Sequence, residues 1–234
     1  MRRSRHCGAR GLEPRQYGGS YEHLYLDIYP PALESASSAH IPRRQLLRPV
    51  TDDGADESSP LPLPAAPSDA PLAYVTMGTV FNDPAPLVAV VAALSELDVR
   101  VLATVGPRAD PAALGSLPAN ARVERYVAQG RVLQHCSVVV SHAGSGTVLS
   151  TLTLGLPQLC LPQGADQFLN ADAVAFAGAG ISLTPDETDP DAIRDAVARL
   201  LDDRSFRDAA GRVSASIVSM PSPDEVAAVL ETLD

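Results

Sequence analysis

The densest set of chemically useful residues is the run Ser141, His142, Ala143, Gly144, Ser145, Gly146, Thr147, which ends the apolar string SVVVS. Small side chains let the backbone approach a ligand closely, Ser145 or Thr147 can cap a helix starting there, and the free N–H groups of a first helical turn carry about half a positive charge. Such a turn is an anion site of the phosphate-binding kind, although the same string also fits a tight strand-to-helix turn with no ligand. His142 stands where an imidazole can donate to a phosphate oxygen; its place at a strand's carboxyl end favours that role over a purely structural one. In the loop LPQGADQ (161–167), Asp166 and Gln167 set a carboxylate beside an amide. That pair suits sugar hydroxyls, while Asp166 by itself would serve as a helix N-cap. Tyr126 and Gln129 stand at and just after the end of ARVERYV, where an aromatic ring can stack on a base or simply close the sheet end. Gly78 and Thr79, at and just after the end of LAYVTMG, can face the same crevice.

Two familiar phosphate loops can be set against the glycine turn. A P-loop needs a lysine after its glycines, and every basic residue here is arginine, which also removes Schiff-base chemistry and a catalytic lysine. A dinucleotide fingerprint needs a third glycine where Leu149 stands. That reading is weakened but stays open, because Asp166 lies 20 residues after Gly146, roughly where a ribose-binding acid would fall.

The elements that must position these residues alternate as βα units. Strand-like runs occupy 72–78, 99–106, 121–127, 137–141, 157–162 and 179–183, with helical stretches at 84–97, 130–135, 145–154, 166–177, 189–202, 203–218 and 223–233. VVV and QLCL are continuous apolar runs, as central parallel strands covered on both faces require. The pattern predicts an α/β fold with a doubly wound parallel sheet, whose ligand sits beyond the carboxyl ends of the strands. Residues 49–71, rich in Pro, Ser and Asp, read as a semi-extended linker. Before it, LYLDIY (24–29) is β-like and stops at two prolines. Tyrosines four apart (17, 21, 25, 29) would also suit a helix, against which Gly18, Gly19 and the prolines argue. This piece is too small to fold alone, so it packs on the main domain or belongs to something else.

Of 234 residues 45% are hydrophobic and 4% aromatic, enough for one domain with a fragment and too little chain for two full α/β domains. No apolar run reaches 18 residues, and the basic start runs into Gly and Pro instead of an apolar core, so neither a membrane span nor a secretory signal is expected. A cytoplasmic protein is the expectation. Cys7, Cys136 and Cys160 are too few and too far apart for a disulfide framework or a paired zinc site. Residues 1–50 carry net +4 and the rest −14, so the bulk of the chain repels nucleic acid and anionic lipid.

The order of motifs resembles a known family. From TMGTVFND through TVGPRADP, SLPANARVERYVAQ, VVVSHAGSGTVLSTLTLGLPQLCLPQGADQFLNADAV and GAGISL to MPSPDEV, residues 72–234 are similar to the nucleotide-sugar-binding C-terminal half of bacterial natural-product glycosyltransferases of the erythromycin/macrolide type, within the UDP-glycosyltransferase family. The resemblance implies a Rossmann-like domain of GT-B architecture and an inverting, metal-independent transfer from a UDP- or dTDP-sugar to a natural-product hydroxyl, with no cofactor. It assigns His142, Gly144, Ser145, Gly146 and Thr147 to the diphosphate, Asp166 and Gln167 to the donor sugar, Tyr126 to base stacking, Gln129 to the ribose or base, and Thr79 to the phosphate loop. Ser150 departs from the pattern, standing where plant members have a ribose-binding Glu.

Residues 1–48, with LYLDIYPPALE and IPRRQLLRPV, look like a remnant of the family's N-terminal acceptor domain, 49–71 like the linker and 72–234 like the nucleotide-sugar domain. The family's general base is a His in that acceptor domain, and none of His6, His23 and His40 sits in its motif, so no catalytic residue is assigned. The chain alone is therefore expected to bind a donor and transfer little, with the acceptor half supplied by a separate chain or lost. The alternative is a non-catalytic nucleotide-sugar-binding module or degenerate remnant.

Overall fold

In the computed structural model, which describes residues 19, 21–33, 40–51, 60–64, 69–78, 85–107 and 109–232, the alternating pattern folds into a six-stranded parallel sheet. Its strands are β3 (Leu72–Thr76), β4 (Arg100–Thr104), β5 (Ala121–Glu124), β6 (Val138–Ser141), β7 (Gln158–Cys160) and β8 (Gly180–Ser182). Two earlier short strands, β1 (Tyr25–Asp27) and β2 (Arg44–Leu46), form a separate parallel pair. The helices are α1 (Ala85–Leu94), α2 (Gln129–Leu133), α3 (Ser145–Thr153), α4 (Gln167–Phe176), α5 (Pro190–Asp202), α6 (Arg204–Val218) and α7 (Pro223–Leu230). The large sheet runs β5-β4-β3-β6-β7-β8, so the chain winds outward from β3 in one direction and then from β6 in the other. This is the doubly wound order, and the reversal lies between β3 and β6. Thr76 and Ser141 are register partners there, so the loops after the two strands leave the sheet side by side.

Both faces of the sheet are covered, which is why its strands read as unbroken apolar runs. Val138 and Val140 join α1 and α5 residues such as Leu94 and Ile193 in one cluster. Val139 points the other way, with Tyr74, Leu102 and Leu133. A third cluster joins Val148 and Leu152 of α3 to Val174 of α4 and Val213 and Ile217 of α6. Each fully buried Leu, Ile or Val contributes about 1.5–3 kcal/mol relative to exposure. Cys136 and Cys160 are buried within this packing, which pushes both thiols up to about 12. Among the described residues no helix is long and apolar enough to cross a membrane.

The N-terminal piece packs on the main domain. The Asp27 carboxylate pairs with Arg44 at 2.7 Å across β1 and β2 and accepts the Tyr29 N–H at 2.9 Å. A single 3-10 turn, Pro31–Leu33, then drives Leu33 into the α3–α4–α6 cluster, where it is 2% exposed. The exit from β2 is fastened by the Arg48 N–H donating to the Pro221 carbonyl. The expected strand over 24–29 is thus shorter, and its partner β2 was not anticipated, because the sequence RQL carries no β pattern of its own. Within the stretch expected as a linker, Leu61 and Leu63 pack against the cluster around Tyr74 and Leu102, and Pro64 is buried. Over residues 60–64 the stretch is a strip laid on the core.

Gly180 lets β8 approach β7. A β-carbon there would meet the Gln158 carbonyl oxygen and lie 2.7 Å from Val174 Cγ1. Gly180→Ala is expected to cost about 1–3 kcal/mol of stability, read as a lower urea midpoint; an unchanged midpoint would contradict this close approach.

Candidate functional site

At the reversal between β3 and β6 the strand ends open onto a crevice of about 490 Å3. Its inner corner is the turn from β6 into α3. Helix α3 starts at Gly144 with no capping side chain, so the N–H groups of its first turn and their partial positive charge face the crevice. Reaching that start takes a left-handed residue, and Ala143 supplies it at φ 61° with no glycine to ease the conformation. A non-glycine residue there costs of order 1–3 kcal/mol and persists only when its surroundings hold it. Here the Ala143 N–H donates to Ser141 Oγ at 3.1 Å, and its carbonyl accepts from Asn170 Nδ2 at 2.9 Å.

The His142 imidazole is clamped between two glycines. A β-carbon on Gly78 would lie 2.7 Å from His142 Cε1 and Nε2, and one on Gly144 would lie 2.6 Å from Nε2. Both glycines leave room that only a missing side chain can give, and Gly78 also sits at φ 79°. Burial pushes the His142 pKa down, opposed by the Thr76 backbone and by Asp166, while Nδ1 finds no hydrogen-bond partner among the described residues. The ring is therefore neutral at pH 7 and still has an N–H to donate.

Asp166 is tied to the same turn. Its Oδ2 accepts from Ser145 Oγ at 2.7 Å and from Asn170 Nδ2 at 3.2 Å, and these bonds hold its carboxyl below the usual carboxylate range. The dinucleotide reading would send this acid to a ribose. It is instead joined to the phosphate-type turn. Gln167 is 4% exposed, and its Oε1 accepts the N–H groups of Gln163 and Gly164 at 2.8 and 3.1 Å. The amide oxygen thus shapes its own loop, where Ala165 is again left-handed at φ 56°.

The outer part of the crevice is built by the loop after β5. Tyr126 stands 64% exposed at the rim, and Gln129, opening α2, has a buried Nε2 with no partner among the described residues. The Tyr74 and Thr104 hydroxyls, bonded at 2.9 Å, line the crevice from β3 and β4. Arg125, Ser150 and the linker residues Val50 and Thr51 complete this wall.

The structure therefore brings together Tyr126, Gln129, His142, Gly144, Ser145, Gly146 and Thr147, all of which line the crevice. Asp166 reaches them through Ser145, Gln167 faces its own loop, and Thr79 lies outside the described residues. Sequence reasoning missed Tyr74, Thr104, Arg125 and Asn170. Only Asn170 had a local signal, its place four residues after Asp166 on one helix face.

The doubly wound parallel sheet with an uncapped glycine turn at its reversal point is the arrangement of nucleotide-binding α/β domains, and solved glycosyltransferases that superimpose on it match it to the C-terminal domain of GT-B glycosyltransferases. Residues 88–233 match the family model described as erythromycin biosynthesis protein CIII-like, C-terminal domain, and the chain belongs to that family. Tylactone mycaminosyltransferase of Streptomyces fradiae is 34% identical over 155 residues, 66% of this chain and 34% of that protein. The elloramycin glycosyltransferase of Streptomyces olivaceus is 42% identical over 125 residues, 53% of this chain and 31% of that protein. The chain spans about a third of the length of the curated relatives it matches. Among solved structures, spinosyn rhamnosyltransferase complexed with thymidine diphosphate superimposes with a TM-score of 0.79 at 36% identity, over 88% of this chain and 56% of that one.

The His142 environment predicts a pH effect. Its folded pKa is depressed, so between the ordinary imidazole value of about 6.5 and the lower folded value the unfolded chain binds more protons, and stability falls as pH falls through that window. Two-dimensional NMR should show the His142 Cε1 proton titrating below 6.5, and His142→Ala should flatten the loss of stability toward acid. A midpoint at or above the ordinary value would contradict the buried clamp.

Proposed function

We propose that the crevice binds a UDP- or dTDP-sugar and that the protein serves inverting, metal-independent transfer of the sugar to a natural-product hydroxyl. The observation that carries this reading is the pairing, at the sheet reversal, of the uncapped α3 start with the glycine-clamped His142. The diphosphate lies at that turn, held by the N–H groups of Ser145, Gly146 and Thr147 and by the imidazole. The base reaches outward to stack on the exposed ring of Tyr126, with the Gln129 amide beside it and Thr79 near the phosphates. The sugar falls toward Asp166 and the amide nitrogen of Gln167, whose oxygen is held by its own loop. Ser145 Oγ spends its proton on Asp166, so its backbone N–H, more than its hydroxyl, meets the phosphate. The thymidine diphosphate held by the similar spinosyn rhamnosyltransferase, and the antibiotic-sugar transferases among the relatives, support a dTDP-sugar and a small-molecule acceptor.

In the transfer, an acceptor hydroxyl oxygen attacks the anomeric carbon from the face opposite the diphosphate and loses its proton to a base, while the carbon–oxygen bond to the diphosphate breaks. The new negative charge appears on the diphosphate. Fixed donors aimed at that position stabilise it more than they stabilise the intact donor. This leaving-group role is the chain's own part, and no residue is assigned the base. Acceptor positioning is assigned to an acceptor-binding domain of the kind its family uses, in a separate chain where necessary.

Calorimetry with dTDP and UDP tests the site. The chain is expected to bind at least one of them, and His142→Ala and Gly144→Val are each expected to weaken binding about tenfold or more, about 1.4 kcal/mol, without loss of the cooperative thermal transition. Folded protein that binds neither diphosphate would sink the proposal.

A further inference from the structure

A partly buried hydrogen-bond chain leaves the site and ends in the N-terminal piece. Tyr29, half-buried beyond β1, donates its hydroxyl to Asn170 Oδ1 at 2.6 Å. Asn170 is 5% exposed, and its Nδ2 reaches the Ala143 carbonyl at 2.9 Å, Asp166 Oδ2 at 3.2 Å and Ser145 Oγ at 3.3 Å. Tyr29 is itself fixed: its N–H is held by the Asp27 carboxylate, which Arg44 grips from β2. We infer that Tyr29 is a positioning residue for the donor sugar, orienting the Asp166 carboxylate through the Asn170 amide without touching the ligand.

An asparagine side chain has two ends of similar shape and opposite polarity. The Tyr29 O–H satisfies the oxygen end, leaving the NH2 end for Ala143, Ser145 and Asp166. Without that hydroxyl, Oδ1 becomes a buried acceptor with no donor, and the amide is drawn toward another partner or water. Asp166 Oδ2 is then held by Ser145 alone. With both donors in place Oδ2 is occupied, and Oδ1, which has no side-chain partner among the described residues, is presented to a sugar hydroxyl. The same amide also holds the Ala143 carbonyl at the α3 start, but that turn keeps a second tether in the Ser141 hydroxyl on the Ala143 N–H, so loss of the Tyr29 hydroxyl affects the diphosphate less than the sugar.

The inference rests on the nucleotide-sugar reading above, and the test separates the two. Calorimetry on the full chain compares dTDP with dTDP-glucose. Tyr29→Phe is expected to weaken dTDP-glucose about tenfold and dTDP less than twofold. Asn170→Asp keeps an acceptor for Tyr29, sets a second carboxylate against Asp166 and removes the donor to the Ala143 carbonyl, so, should Tyr29→Phe fold poorly, it is expected to weaken both ligands and dTDP-glucose the more. In an Asp166→Asn background, Tyr29→Phe should change dTDP-glucose affinity less than twofold. Equal weakening of both ligands, no weakening, or the full tenfold loss in the Asp166→Asn background would overturn the positioning role. A folded wild-type chain that binds no dTDP overturns the nucleotide-sugar reading itself and this inference with it.

Discussion

Strand β6 ends at Ser141 and helix α3 begins at Ser145, and the few residues between must turn the backbone, expose a helix start and seat an imidazole. The turn works only with Ala143 in the left-handed region and with no side chain on Gly144 or Gly78 against His142. That conformation is costly in isolation. It is held by a hydroxyl on the strand side, Ser141, and an amide from α4, Asn170. The crevice, the helix dipole aimed into it and the depressed His142 pKa all follow from this short passage.

The same amide joins the turn to parts of the chain remote in sequence. Asp166 is drawn toward Ser145, so the carboxylate loop and the glycine turn form one hydrogen-bonded unit. Tyr29 adds the N-terminal piece to that unit, while Leu33 buries its apolar contact among α3, α4 and α6. A segment that could have been a frayed end is thereby structurally part of the site. A partly buried network of this kind is demanding, because one missing partner leaves an unsatisfied group in low dielectric.

Much of this was legible in the chain itself. The unbroken SVVVS and PQLCLP runs, each followed by small residues and a helical stretch, gave the parallel sheet and placed the candidate residues at strand ends. His142, the glycine turn, Tyr126 and Gln129 could be selected on residue type and position alone, and they do share one crevice. Gln167 shows the limit: its type suits a sugar hydroxyl, yet its oxygen is consumed by two backbone N–H groups of its own loop. The linker composition reads as extended chain, and over residues 60–64 an adjacent apolar surface makes packing of Leu61 and Leu63 the better solution.

By itself, the sequence determined the elements and the chemical menu, because hydrophobic period, glycine placement and capping residues act over a few neighbours along the chain. Tertiary structure alone decided which atoms of that menu remain available. The Tyr29 hydroxyl and the Asn170 amide are 141 residues apart, and β2 finds its partner β1 across a connection with no pattern of its own. A hydrogen bond is satisfied or left open by distances of a few tenths of an ångström between elements, and no local pattern of residues encodes such a distance.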